Sequence, residues 1–229
     1  MNHPDDRAPP AWRRLTEAGS LMARAYRAFG RLGERGPAGG APLMVIPGFL
    51  ATDRTTLGLQ RALAHAGWRV TGWGLGLNRG VREDMLDRLA ARIEQHGRAR
   101  PVVLVGWSLG GIYAREIAKQ RPDLVASVVT LGSPFSGDRR RNNNVWRLYE
   151  AVAGHPVNEP PIDTDPAEKP PVPTLALWSR RDGIVAPAGA RGREGERDAH
   201  VELDCSHMGF AVGAKAFPKI VAAVRGFAA

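Results

Sequence analysis

Cysteine is almost missing from this chain. Cys205 is the single one among 229 residues, which excludes an intramolecular disulfide and a cysteine-rich zinc site. Lysine is scarce as well: it occurs only at 119, 169, 215 and 219, so 28 of the 32 basic residues are arginine. Against 23 acidic residues this leaves a net charge of +9, which raises the question of an anionic partner. The arginines are spread along the chain, and their one tight run, Arg139 to Arg141, is followed by three asparagines. That pattern reads as solvated surface rather than a nucleic-acid face. Long apolar runs are lacking too, so nothing reaches the length of a membrane span. The start, Met1 to Pro10, is polar, with Asp5, Asp6 and three prolines, unlike the basic and then apolar opening of a secretory signal. A cytoplasmic location is the expectation.

What is present suits one ordinary globular domain: 43% of residues are hydrophobic and 24% charged, in a chain long enough to bury a core without staples. Residues 1–40 stand apart. Trp12, Leu15, Leu21, Met22, Ala25, Phe29 and Leu32 fall near helical spacing with arginines between them, which predicts an amphipathic helical extension with a basic face. It reads either as a weak membrane-surface contact or, more simply, as a helix packed on the domain that follows. Gly33, Gly36, Pro37, Gly39 and Gly40 end it.

From residue 41 onward, short apolar runs alternate with helical segments. Strands are expected at Leu43 to Ile46, Arg69 to Trp73, Val102 to Val105, Ser127 to Leu131, Thr174 to Trp178 and His200 to Leu203. Helices are expected at Leu57 to Ala66, Val81 to Gln95, Asn144 to Ala153 and Ala214 to Phe227. Unbroken Val/Leu runs are what strands covered on both faces require. The alternation predicts a three-layer α/β/α sandwich around a mostly parallel sheet of about six strands. In such sheets the working residues collect beyond the carboxyl ends of the strands.

One strand end stands out: Val102-Val103-Leu104-Val105 runs into Gly106-Trp107-Ser108-Leu109-Gly110-Gly111 and then into a helical pattern. Gly-x-Ser-x-Gly between a buried strand and a helix is the pattern of a nucleophile elbow, with Ser108 at its apex and a helix N-terminus beneath it. A serine hydroxyl needs a base, and the base needs an orienting acid. His207 follows the last strand in Asp204-Cys205-Ser206-His207, whereas His155 sits among prolines and His200 begins a strand. For the acid, Asp182 follows the strand ending at Trp178; Asp204 is the rival by proximity in sequence.

On these residues the chain resembles the α/β-hydrolase superfamily, and within it the compact bacterial esterases and lipases. The resemblance covers about residues 41–229, with serine, acid and histidine in the family's chain order. It implies a serine hydrolase of carboxylic esters, with Ser108 as nucleophile, Asp182 as acid and His207 as base, and with no metal or organic cofactor. The oxyanion hole would be formed by the backbone N–H groups of Leu109 and Phe49, with Gly48 permitting the turn. Many relatives carry His-Gly where this chain has Pro47-Gly48, so the bracing of that loop is left open. A small cap is expected at about 135–172, where seven of the 18 prolines lie between Pro156 and Pro173. Gly48, Leu50, Trp107, Phe135, Trp146 and Met208 are the candidate pocket residues, and Trp73 to Gly80 is read as a loop at the site edge. Acyltransferase, thioesterase or amidase activity would use the same triad, and a non-catalytic binding or membrane-associated module is the remaining alternative. The expected partner is a small ester, without nucleic acid.

Overall fold

The computed structural model describes residues 6–10, 12, 13, 17, 36, 39–162 and 164–227. The expected N-terminal helix lies largely outside them; of it, Trp12, Arg13 and Glu17 are described. Six strands, β1 (Pro42–Ile46), β2 (Arg69–Gly72), β3 (Val102–Trp107), β4 (Val125–Leu131), β5 (Thr174–Trp178) and β6 (Ala199–Glu202), form one sheet in the order β2-β1-β3-β4-β5-β6. Every neighbouring pair is parallel. The helices are α1 (Leu57–His65), α2 (Met85–Gly97), α3 (Leu109–Gln120), α4 (Arg139–Asn142), α5 (Trp146–Ala153), α6 (Pro187–Arg191), α7 (His207–Val212) and α8 (Phe217–Phe227). Among the described residues, no helix is long and apolar enough to cross a membrane.

The continuous apolar strands serve two cores at once because side chains alternate across the sheet. Leu43, Val45, Val103 and Val105 pack with Leu59 and Leu63 of α1 and with Ile220 and Val224 of α8. Their neighbours Met44, Ile46, Val102 and Leu104 pack on the other face with Leu89 and Ile93 of α2 and with Tyr113 and Ile117 of α3. Three-layer packing therefore follows from runs with no polar residue on either face.

Three helices differ from the sequence expectation, the first being α2, which begins at Met85 rather than Val81. The last begins at Phe217 rather than Ala214, putting Pro218 in the first turn, where its missing N–H costs nothing. The stretch expected as one helix from Asn144 to Ala153 begins at Trp146 instead, as α5, and the separate short α4 precedes it. Between them Asn143 is extended and forms an antiparallel bridge with Val185. Its side chain donates to the Arg139 carbonyl and accepts from the Val145 N–H at 3.1 Å, satisfying backbone groups at the break. Arg115, fully buried in α3, ties down the irregular chain before β5. It donates to the carbonyls of Pro166 and Glu168 at 2.6 and 3.0 Å, and to that of Glu196 at 2.9 Å, while its guanidinium lies 4.2 Å from the Phe135 ring centre.

Candidate active site

The β3–α3 junction is a forced conformation. Ser108 has φ 53° and ψ −122°, a region that a residue with a side chain occupies only under strain. Glycine on either side makes this feasible: a Cβ on Gly106 would collide with the Gly110 carbonyl, and one on Gly110 with the Ile46 carbonyl. Ser108 thus sits at the apex with its own carbonyl accepting from the Gly111 N–H at 3.0 Å. Its hydroxyl makes no hydrogen bond among the described residues.

Facing it is the loop after β1. A Cβ on Gly48 would come within 3.1 Å of both the Ser108 Cβ and the Trp107 ring, so glycine is what lets the loop approach the elbow. Neither the Phe49 N–H nor the Leu109 N–H has an acceptor among the described residues. The brace that a histidine would supply is provided by Asn78, which is fully buried. Its Nδ2 donates to the Pro47 carbonyl at 2.9 Å, and its Oδ1 accepts from the Gly80 N–H and the Tyr113 hydroxyl, each at 3.2 Å. Its backbone carbonyl accepts from Leu50 N–H at 2.7 Å and its N–H donates to the Ala51 carbonyl at 2.9 Å. The sequence placed Asn78 only in a loop at the site edge; a lone asparagine between glycine turns gives no local signal of what it holds.

The structure puts Asp182, not Asp204, on His207. Asp182 is 1% exposed and His207 4%, and the Nδ1 of His207 lies 2.8 Å from Oδ2 of Asp182. The other oxygen, Oδ1, accepts from the N–H groups of Ile184 and Val185, both at 2.8 Å. An ionised carboxylate only accepts, so Nδ1 carries the proton and Nε2 is left with a lone pair in the neutral ring. Burial alone would lower the His207 pKa; the charge and hydrogen bond of Asp182, together with the charge of Glu17, outweigh it and raise the value above that of an ordinary imidazole. Asp204 is turned to the surface and pairs with Arg181 at 3.1 Å. His155 is engaged by Tyr149 and Val81, and His200 by Trp178. Burial and the neighbouring acids Asp182 and Glu17 push the Cys205 thiol up to about 12, leaving it inert.

Glu17 is an unforeseen member of this cluster. It is 5% exposed. Its Oε1 accepts from the N–H groups of Gly183 and His207, both at 2.9 Å, and its Oε2 from the Met208 N–H at 2.8 Å. One carboxylate thus clamps the loop carrying Asp182 to the helix start carrying His207, next to a helix N-terminus where negative charge is favoured. Ser179 repeats the link by donating to the Cys205 carbonyl at 2.6 Å. A glutamate 190 residues before His207, in a segment read as an extension, carries no sequence signal of this role.

Ser108 opens onto a narrow cleft of about 60 Å³, lined by Phe49, Val81, Leu109, Ile112, Tyr149 and Val185, among others. Of the candidate pocket residues, Gly48 lies against Ser108, and the remaining five are not among the side chains lining this cleft. Leu50 is 43% exposed, and Trp107 is buried in the core, donating from Nε1 to the His207 carbonyl at 3.1 Å. Phe135 is buried beneath Arg115, Trp146 lies between the guanidinium groups of Arg140 and Arg147, and Met208 packs against the core. The walls come instead from the chain between β4 and β5 and from the acid loop, whose approach to the elbow depends on tertiary packing.

The geometry agrees with what the chain resembles. A family model for the α/β-hydrolase fold matches residues 41–155, just over half of the sequence. Among solved structures, a candidate aryl esterase from Burkholderia cenocepacia superposes with a TM-score of 0.60 at 19% identity, covering 84% of this chain and 92% of that one. A candidate non-heme bromoperoxidase from Mycobacterium tuberculosis H37Rv gives 0.62 at 18% identity, covering 84% and 94%. An esterase domain from Rhodothermus marinus gives 0.54 at 20% identity, covering 85% and 92%. At such identities the likeness is one of fold. No curated protein sequence matches the chain. With its parallel six-stranded sheet, its elbow after β3 and the matching family model, the chain belongs to the α/β-hydrolase fold family.

Proposed function

We propose that this protein is a serine hydrolase that cleaves carboxylic esters through an acyl-enzyme. The observation that carries this reading is the buried Asp182–His207 pair, 2.8 Å apart, with Asp182 fixed by two further N–H groups. Such an arrangement has no structural necessity; it holds one imidazole tautomer with a free Nε2. The elbow supplies the nucleophile. Ser108 Oγ attacks the ester carbonyl while His207 Nε2 takes its proton, and Asp182 stabilises the imidazolium. The oxyanion is met by the Phe49 and Leu109 N–H groups, whose lack of other acceptors among the described residues suits that task. His207 then protonates the departing alcohol, and in the second half it deprotonates the water that attacks the acyl carbonyl. The missing Ser108–His207 hydrogen bond fits a free enzyme, where such contacts are often long until substrate closes them.

The test is labelling with a fluorophosphonate, which reacts only with an activated serine. Wild type should label, Ser108→Ala should not, and Ser108→Ala should lower kcat on a 4-nitrophenyl ester by roughly 10⁴ or more. Equal labelling of the two proteins would overturn the assignment of Ser108.

A further inference from the structure

The run Arg139 to Arg141, which reads in the sequence as solvated surface, is divided by the fold. Arg140 pairs with Glu150 through Nη2 at 2.9 Å, and Arg141 Nε lies 3.7 Å from Asp138. Arg139 turns the other way and lines the cleft that holds Ser108. Among the described residues its guanidinium has no hydrogen bond and no ion pair. Burial lowers its pKa, while Tyr149, Glu116, Asp165 and Asp138 act in the opposite direction from a distance. Glu116 is itself taken by Lys119 at 3.0 Å. A second polar group of the cleft wall also lacks a partner among the described residues: Thr164 Oγ1, which unlike the guanidinium is buried.

Arg139 is half-buried, and its guanidinium, set among apolar side chains, leaves its donors to water and to whatever enters the cleft. Its neighbours in sequence show that this chain can supply carboxylate partners, yet among the described residues none reaches Arg139. The walls around it, including Phe49, Val81, Ile112 and Ile184, favour an apolar stem. From this geometry we infer that the substrate is an ester with a free carboxylate at the far end of an apolar chain: the carboxylate pairs with Arg139 and Thr164 while the ester carbonyl sits at Ser108. A guanidinium matches a carboxylate with two parallel N–H bonds. One guanidinium and one hydroxyl match a single negative charge, whereas a phosphate dianion demands more donors than these two side chains carry.

The ester half of this inference rests on the function proposed above; the carboxylate site does not. Two measurements keep them separate. First, kcat/KM is compared for 4-nitrophenyl monoesters of linear dicarboxylic acids and for 4-nitrophenyl esters of linear monocarboxylic acids of equal length, in wild type, Arg139→Gln and Thr164→Val. The ratio of charged to neutral ester should exceed one at some chain length in wild type. It should fall roughly 10-fold or more in Arg139→Gln and by a smaller factor in Thr164→Val. Second, binding of the free dicarboxylate adipate is followed by calorimetry, with thermal melts confirming that each variant is folded. Binding should be detectable in wild type and lost in Arg139→Gln. Adipate binding that depends on Arg139, with no ester cleaved and no serine labelled, supports the carboxylate site and overturns the hydrolase reading. Cleavage of neutral esters, with a ratio below one throughout that Arg139→Gln leaves unchanged and with no adipate bound, overturns the carboxylate site and leaves the hydrolase intact.

Discussion

Replacing Glu17 removes a clamp that holds the acid loop and the base helix together, and the cost can be worked from its contacts. Three backbone N–H groups, those of Gly183, His207 and Met208, donate to its carboxylate at 2.8–2.9 Å. A hydrogen bond to a charged group contributes about 1.5–3 kcal/mol net. Alanine forfeits all three, but water entering the space left behind recovers part, so about 3–5 kcal/mol of folding stability should be lost. Glutamine can keep Oε1 facing Gly183 and His207 while its NH₂ opposes the Met208 N–H. One bond goes and one buried donor is stranded, costing about 2–3 kcal/mol. A second effect is electrostatic. Glu17 and Asp182 both raise the His207 pKa against burial, and catalysis as proposed needs the neutral ring, so activity rises with pH through that pKa. Removing the Glu17 charge lowers it, and the acid limb of kcat/KM should move to lower pH in Glu17→Gln. Urea unfolding gives the first quantity and a pH–rate profile on a 4-nitrophenyl ester the second. A merely structural residue would change stability without moving the limb. If both variants unfold within about 0.5 kcal/mol of wild type, the range of an ordinary surface substitution, and the limb stays in place, the reasoning is refuted.

Two other substitutions probe the remaining supports. Asn78→Ala strands the Pro47 carbonyl, the Gly80 N–H and the Tyr113 hydroxyl, each buried; a loss of about 3 kcal/mol is expected in thermal or urea unfolding. Because the same asparagine braces the loop bearing the Phe49 N–H, kcat should fall by about 10²-fold, the effect of removing one oxyanion donor, with KM less affected. Asp182→Asn leaves the packing in place but favours the wrong imidazole tautomer, so kcat should drop by about 10⁴-fold. It also removes the main influence opposing burial at His207, so the residual activity should show an acid limb below that of wild type, whose limb lies above the ordinary imidazole value.

The elements nearest the site were legible because their signals are local. Val102 to Val105 announced a strand covered on both faces, and Gly106 and Gly110 announced a junction too tight for side chains, which is where the structure puts Ser108. The choice of Asp182 over Asp204 as candidate acid rested on its loop after the penultimate strand, and it is Asp182 that lies 2.8 Å from His207. Pocket residues were less legible. Trp107 and Phe135 are large and apolar and lie beside the elbow in sequence or fold, but such side chains fill cores as readily as clefts, and both are buried in packing. The short α4 and the extended Asn143 ahead of α5 escaped the sequence reading because they depend on a bridge from Asn143 to Val185, a partner beyond any local window.

From sequence alone came the sheet with its flanking helices, the elbow and the candidate serine and histidine, since side-chain period and glycine sterics act within a few residues. Tertiary structure decided the rest. It set which acid meets His207, how Asn78 substitutes for a missing histidine, why a glutamate in the N-terminal segment belongs to the site, and which of three successive arginines faces the cleft. Those outcomes turn on buried charges and polar groups finding partners, or failing to, across 25 to 190 residues of chain. Desolvation makes each such pairing energetically decisive, and no local pattern records it.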